Sequence, residues 1–489
     1  MELKIVRDLL DRFNEKILYC HWKSNQHFSD ALVGIDDLDI LIDRNQYEEV
    51  VNIAHELGYK RFYIPNSRAY VGIEDFLGFD YETGKIIHLH LHSRLVVGEK
   101  HLKGFHLPIE EMILKNRIWN KESVAYFSSP YDELLLLIIR TGMKVRKRDF
   151  YKKSMLRGNT YKEFEWLKEQ CLDFEEKISK EEWISERIKK VCIRCFNGDL
   201  SWINVYRMHK YLYKDIPCYS QGGLIHNTLE RNIREFKRVI LEIKKRYINS
   251  KYTLTRRRVA TGGVIIAFLG SDGSGKSTTI EEIKKWLEKV MDVRYFYLGS
   301  GDGNSSVLRK PLKIAVNIAK KFGIIKKTEN FNDSSLKQKE DVNRSKLGFA
   351  RKMWIYTLSR ERIKKLICAA RCRIFGFVVL TDRYPQDEFD GLCDGPRLRG
   401  KKGIAAKIEE KSYRIAKLCP PDLCIKMIVS PEIAAKRKPG EIHVETSRNL
   451  TARVKNIKFS SRTKIIEINA DQEQSKVWLD VKRAIWEII

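Results

Sequence analysis

The sequence predicts a multidomain α/β protein whose last domain is a parallel sheet flanked by helices. Three observations carry that prediction. An apolar run at residues 264–269 passes through a glycine-rich turn into a helical pattern. From residue 263 to residue 489, strand-like and helix-like segments alternate, as the crossovers of a parallel sheet require. A basic stretch at residues 251–263, with Arg256-Arg257-Arg258 and Gly262-Gly263, separates that region from the preceding chain. The chain has 489 residues, enough for several domains with cores of their own.

Residues 1–108 alternate helix and strand patterns and form the first predicted domain. It opens on an amphipathic helix with mixed charges and no signal-peptide core. Gly34-Ile35-Asp36-Asp37-Leu38-Asp39-Ile40-Leu41-Ile42 reads as a strand. Asp37 and Asp39, two apart, share one face of it. Two such carboxylates can hold a divalent cation against a triphosphate. A later strand alternates His88, His90 and His92 with aliphatic residues, so the three imidazoles share a face. They can bind a transition metal, replace a carboxylate, or serve as polar strand-face packing.

Residues 109–250 read as a helical region. The run at 134–139 suggests a buried helix. From Asn227 onward, Leu229, Ile233, Phe236, Val239, Ile240 and Ile243 form one helix face, with Arg and Lys on the other. Cys192-Ile193-Arg194-Cys195 is an isolated pair, short of the four ligands a zinc site needs. The ten cysteines have no framework spacing, so reduced thiols and a cytoplasmic setting are expected. The longest apolar run is too short to span a bilayer. Residues 326–345 are polar and read as a surface loop.

The third domain, residues 263–489, carries the chemistry. Gly270-Ser271-Asp272-Gly273-Ser274-Gly275-Lys276-Ser277-Thr278 is a Gly-x-x-x-x-Gly-Lys-Ser loop between strand and helix. Its glycines let backbone N–H groups converge on phosphate oxygens, and the helix start adds positive potential. Lys276 can reach the β- and γ-phosphates, and Ser277 can ligate Mg²⁺. A second strand, at residues 377–381, ends in Asp382-Arg383-Tyr384. Asp382 is placed to hold Mg²⁺ or its waters, and Arg383 to clamp a phosphate. Lys436, Arg437 and Lys438, with Arg448 and Arg453, suit a basic flap over the phosphates. ATP with Mg²⁺ is the expected cofactor pair.

This domain resembles the thymidylate kinase family of P-loop kinases. The matching pieces are the phosphate loop, Leu358-Ser359-Arg360-Glu361-Arg362, Asp382-Arg383-Tyr384, Pro421-Asp422-Leu423 and Ser430-Pro431-Glu432, in family order. The resemblance implies a five-stranded parallel sheet and phosphoryl transfer from ATP. It assigns Asp272, Arg360 and Arg383 to the acceptor; Tyr384, beside Arg383, is a further acceptor candidate, and Lys276, Asp382, Arg383 and Arg437 are the candidate catalytic residues. One departure is plain. The Arg-Glu-Pro acceptor loop of the family is replaced by Gly299-Ser300-Gly301-Asp302-Gly303-Asn304, so thymidylate is not the expected acceptor.

The first domain resembles the DNA polymerase β nucleotidyltransferase superfamily, in its uncharacterised bacterial branch. The likeness rests on Asp37-x-Asp39 downstream of Cys20-His21-Trp22-Lys23-Ser24-Asn25, and on Pro130-Tyr131-Asp132-Glu133-Leu134-Leu135. Lys23-Ser24 replaces the usual glycine turn, and histidines stand where the third acid is expected. Lys and Arg number 92 against 64 Asp and Glu, a net charge of +28 that favours anionic partners. The expected partner is a small phosphate acceptor: nucleotide, nucleoside or sugar. Two alternatives are a nucleic-acid end-processing enzyme and a nucleotide-gated scaffold without catalysis. No stacking-aromatic RNA signature supports the former.

Overall fold

The computed structural model describes residues 2–64, 69–99, 101–144, 158–198, 201–247, 256–300, 344–391, 393–440 and 442–489. The expected polar loop at 326–345 lies outside them, apart from its last two residues, as does residue 251–255 of the basic stretch. The chain divides into two compact units, Met1–Thr253 and Leu254–Ile489.

In the first unit, α1 (Lys4–Lys16) buries Val6, Leu9, Leu10 and Phe13, the i, i+3, i+4, i+7 stripe of an amphipathic helix. It is followed by β1 (Tyr19–His21), α2 (Phe28–Leu32), β2 (Leu38–Ile42) and α3 (Tyr47–Glu56). Next come β3 (Lys60–Tyr63), β4 (Ile73–Phe79), β5 (Ile86–His92), and the β6 (Leu95–Glu99) and β7 (Leu102–Leu107) hairpin. Region 109–250 is not wholly helical. After α4 (Glu110–Lys115), β8 (Ile118–Asn120) and β9 (Ala125–Phe127) return to the first sheet, whose order runs β3-β4-β5-β2-β1-β9-β8. The sheet is mixed: β2 and β5 are parallel, β1 and β2 antiparallel.

The helices α5 (Pro130–Lys144), α6 (Asn159–Gln170), α7 (Phe174–Ser179), α8 (Glu186–Phe196) and α9 (Trp202–Asp215) share a second apolar core. All six residues of the 134–139 run are buried there, because helices and the β6–β7 hairpin cover α5 on every side. Cys192 and Cys195 are buried thiols of this core. In α10 (Leu224–Tyr247), the predicted apolar face forms, and its Leu229, Ile233, Phe236, Val239 and Ile243 are exposed.

The second unit holds β10 (Val264–Gly270), α11 (Lys276–Glu288), β11 (Val293–Tyr297), α12 (Arg344–Ile374), β12 (Val378–Asp382) and α13 (Ile404–Leu418). It continues through β13 (Leu423–Ile428), α14 (Pro431–Arg437), α15 (Val444–Asn456), β14 (Lys464–Asn469) and α16 (Gln474–Ile488). Its five strands are all parallel, in the order β11-β12-β10-β13-β14. Buried central strands explain the unbroken apolar runs at 264–269 and 377–380. The order reverses beside β10, and a crevice opens at the carboxyl ends of the strands there. The arginines at 256–258 do not form a free tether. Arg256 N donates to Asp292 and the Arg258 guanidinium to Phe375 O, both within this unit.

Candidate functional site

The glycine-rich loop leaves β10 at its carboxyl end and enters α11 at Lys276. Gly273 and Gly275 both take φ 82°, a left-handed conformation that side chains resist. A Cβ on Gly273 would also lie 2.9 Å from Ala434 O. Lys276 is buried and curls over the loop, donating to Gly270 O at 2.9 Å and Ser271 O at 2.8 Å. Burial, reinforced by the Arg383 charge, pushes its ammonium down to about 8. Ser274 is buried within the loop, while Ser277 and Thr278 are exposed at the helix start.

Parallel pairing sets Asp382 opposite Phe268, one strand away from the loop. Its Oδ1 is buried and accepts no hydrogen bond, and the Ser277 hydroxyl lies near enough to lower the same carboxyl. Burial raises this carboxyl above its ordinary range, against the lowering influence of Lys276 and Arg383. A buried oxygen with nothing to bind requires an explanation. Asp382 and Ser277 offer hard oxygen donors at the mouth of an anion cradle, a set that fits Mg²⁺.

Arg383 follows with φ 66°, a strained conformation for a side-chain-bearing residue. Its guanidinium spans Asp272 Oδ1 at 3.0 Å and Asp394 Oδ2 at 3.3 Å. Asp394 is buried, binds Arg362 at 2.6 Å and accepts from Ser300 N at 2.9 Å. Burial would raise its carboxyl, but Arg383 and Arg362 hold it below the usual range. Leu269, Asp272, Arg383, Cys393, Asp394, Leu450, Val454 and Ile457 line a pocket beside the loop. It has a cation on one wall and apolar residues of α15 on the other.

The predicted residues do not all reach this place. Arg437 does, donating to Gly273 O at 3.3 Å and Ala470 O at 2.9 Å, so α14 closes over the loop. Arg360 is exposed on α12, and its guanidinium bonds Tyr356 OH one turn away at 3.1 Å. Tyr384 is a correction. Its ring is 1% exposed and its hydroxyl donates to Cys419 O, which makes it a core residue rather than an acceptor contact. Asp422 likewise serves structure, accepting from Ile265 N at 2.7 Å and pairing with Arg373. Sequence reading missed Asp394, which sits in an irregular turn without periodicity, although Arg362 lay within the quoted α12 motif.

The first unit gathers a different set. In register, His90 on β5 stands opposite Asp39 on β2 and Asp75 on β4. Asp39 Oδ1 lies 2.8 Å from His90 Nδ1, 3.5 Å from His92 Nε2 and 2.8 Å from Lys23 Nζ. Burial would raise the Asp39 carboxyl, and Lys23 with the two imidazoles holds it well below its ordinary range. Asp37 is half-exposed and turns to His88 at 2.7 Å, while the other nitrogen of His88 contacts Asp75. The predicted histidine face therefore splits, and Asp37 and Asp39 do not share one ion position. Asp75 is a third acid that sequence reading did not find, in contact with His88. Nitrogen donors and a lysine around Asp39 do not fit a pair of magnesium ions. Ser24 takes φ 58°, supplying the left-handed turn without glycine. Asn25 fixes that turn to Glu133 through its N–H at 3.0 Å and its amide at 2.6 Å.

No family model matches the chain. It is 28% identical over 234 residues to the uncharacterized ATP-binding protein YghR of Escherichia coli (strain K12), covering 45% of this chain and 86% of YghR. It is 29% identical over 185 residues to the uncharacterized ATP-binding protein YghS of the same strain, covering 36% of this chain and 73% of YghS. Among solved structures, a thymidylate kinase from Candida albicans covers 47% of this chain and 91% of its own. That match is 16% identical with a TM-score of 0.27. Among the described residues, no helix is long and apolar enough to cross a membrane.

Proposed function

We propose that the second unit binds ATP with Mg²⁺ and transfers the γ-phosphoryl group to a small acceptor held beside Arg383. The observation that carries this reading is the convergence of Lys276, Ser277, Asp382 and Arg383 on one loop, with an unpartnered Asp382 oxygen among them. The relatives named as ATP-binding support the nucleotide half of it. Loop N–H groups and the α11 start would hold the β- and γ-phosphates. Lys276 would leave its two backbone carbonyls and bind phosphate oxygens instead. Ser277 and Asp382 would hold Mg²⁺, which neutralises phosphate charge and orients the transferring group. Arg383, fixed by Asp272 and Asp394, would position an anionic or hydroxyl-bearing acceptor in the adjoining pocket. Arg437 would close over the loop from α14. Such a site works by positioning and charge stabilisation rather than by covalent chemistry.

The acceptor class is a nucleotide, nucleoside or sugar that would present its phosphate or hydroxyl group to Arg383. The test is incubation of the full chain with γ-labelled ATP and Mg²⁺ against such a panel, with oligonucleotides included. Transfer to a small acceptor supports the reading. Label on oligonucleotide ends moves the assignment to nucleic-acid processing. Tight ATP binding with no labelled product leaves a nucleotide-gated scaffold. The donor set around Asp39 in the first unit does not fit the metal pair that nucleotidyl transfer uses.

A further inference from the structure

We propose that the first unit binds one divalent transition-metal ion, of the zinc class, on Asp39, His90 and His92. The three facing atoms form a closed triangle. Asp39 Oδ1 to His90 Nδ1 is 2.8 Å, His90 Nδ1 to His92 Nε2 is 3.2 Å, and His92 Nε2 to Asp39 Oδ1 is 3.5 Å. A circle through those atoms has a radius of roughly 1.9 Å, so an ion about 2.1 Å from each sits just off their plane. For zinc, the edge between two tetrahedral ligands is roughly 3.3–3.6 Å. One edge of the observed triangle, 3.5 Å, falls in that range, and the edges of 3.2 Å and 2.8 Å would open to admit the ion.

Hydrogen bonding alone does not satisfy this cluster. His90 and His92 bring ring nitrogens to within 3.2 Å of each other and to the same carboxylate oxygen. If both carry protons there, two donors crowd one acceptor. If only one does, a lone pair of the other faces the carboxylate. His92 is 0% exposed, and its remaining nitrogen, Nδ1, has no partner. A shared cation resolves the convergence by taking three lone pairs at once. The donors are two imidazoles and one carboxylate, which suit zinc, copper or iron rather than magnesium.

The surroundings separate ligands from neighbours. His88 is excluded, because it bridges Asp37 and Asp75. Trp22 walls the site, its ring edge-on to His92 at 5.0 Å. Lys23 Nζ lies 2.8 Å from the same Asp39 oxygen and supplies the positive charge in the metal's place. The ion would therefore displace Lys23, which makes Lys23 a competitor rather than a ligand. Three protein ligands leave a coordination position open, the pattern of a catalytic rather than a closed structural zinc site.

The test is titration of the nucleotide-free full chain with Zn²⁺ and with Co²⁺, followed by calorimetry and by Co²⁺ visible absorption. One tight equivalent is expected, with Co²⁺ bands of four- or five-coordinate nitrogen–oxygen ligation and no thiolate charge-transfer band. Mg²⁺ in excess is expected not to displace it. His90→Gln, checked for native circular dichroism, is expected to weaken binding at least about a hundredfold, since loss of a mere supporting partner already costs 10–100-fold. Lys23→Met is expected to tighten binding, because the competing charge is gone. Failure of either ion to bind overturns the proposal, as does binding that persists unchanged in folded His90→Gln. Weakened binding in Lys23→Met overturns it too, since that result marks Lys23 as part of a fixed ion-pair network.

Discussion

Lys276 shows how one side chain couples charge, burial and ligand. Curled against Gly270 and Ser271, its ammonium loses protons near pH 8 rather than in the ordinary lysine range. The unfolded chain holds that proton more tightly. The empty fold therefore gains stability from this group as pH rises from about 8, and is least favoured below it. Bound phosphates reverse the effect by stabilising the ammonium. ATP binding is expected to take up a proton above pH 8, and its affinity to fall as pH rises there. Calorimetry at pH 8.5 and 7 in buffers of different ionisation enthalpy reads this directly. Lys276→Ala is expected to lower turnover about 10²–10³-fold, as loss of one preorganised donor does. Asp394 is the other decisive residue, because it anchors both Arg383 and Arg362 from a buried position. Asp394→Asn leaves Arg362 buried without its counter-charge, with an expected loss of about 3 kcal/mol in urea denaturation. The same change is expected to raise the acceptor KM more than the ATP KM.

Among elements, the β10–α11 unit was legible because three local rules agree. A buried parallel strand writes an apolar run, a phosphate loop writes glycines, and an amphipathic helix writes its stripe. At Gly273, a positive φ and the nearby Ala434 carbonyl leave no room for a side chain. Gly273→Ala is expected to weaken ATP binding at least about tenfold through about 1–3 kcal/mol of backbone strain, measured by calorimetry on folded protein. The strand carrying Asp39 was equally legible, although it begins at Leu38 and leaves Asp37 just ahead of it. Their separate partners were not, because these depend on which strands lie beside β2. β8 and β9 escaped notice because strands of three residues carry too little periodicity to stand out within a helical region. Tyr384 shows the limit of motif transfer. It keeps its place in sequence beside Arg383, but the chain turns its ring into the core.

At the scale of the whole molecule, the chain divides into two compact units, and the apolar clusters each lie within one of them. Urea denaturation is expected to show two transitions rather than one. ATP with Mg²⁺ at 100 times Kd is expected to stabilise only the transition of the phosphate-loop unit, by about 2.7 kcal/mol. A shift of both transitions together would show that nucleotide binding couples the units. The net charge of +28 suits anionic ligands in either unit and selects none of them.

The sequence alone determined the phosphate loop, the alternation that makes the second sheet parallel, and the carboxylate strand of the first unit. Each is local, set by residues within a few positions of one another, so spacing suffices to read it. Only the tertiary structure decided that Asp394 would hold Arg383 and that His90 and His92 would converge on Asp39. It also left Arg360 on its own helix surface. The histidine cluster depends on strand order and register, which bring His90 to Asp39 across 51 positions, and Asp394 reaches Arg383 from an irregular turn 11 residues on. No local pattern encodes such neighbours, because the free energy that chooses them is the burial and pairing of the whole sheet.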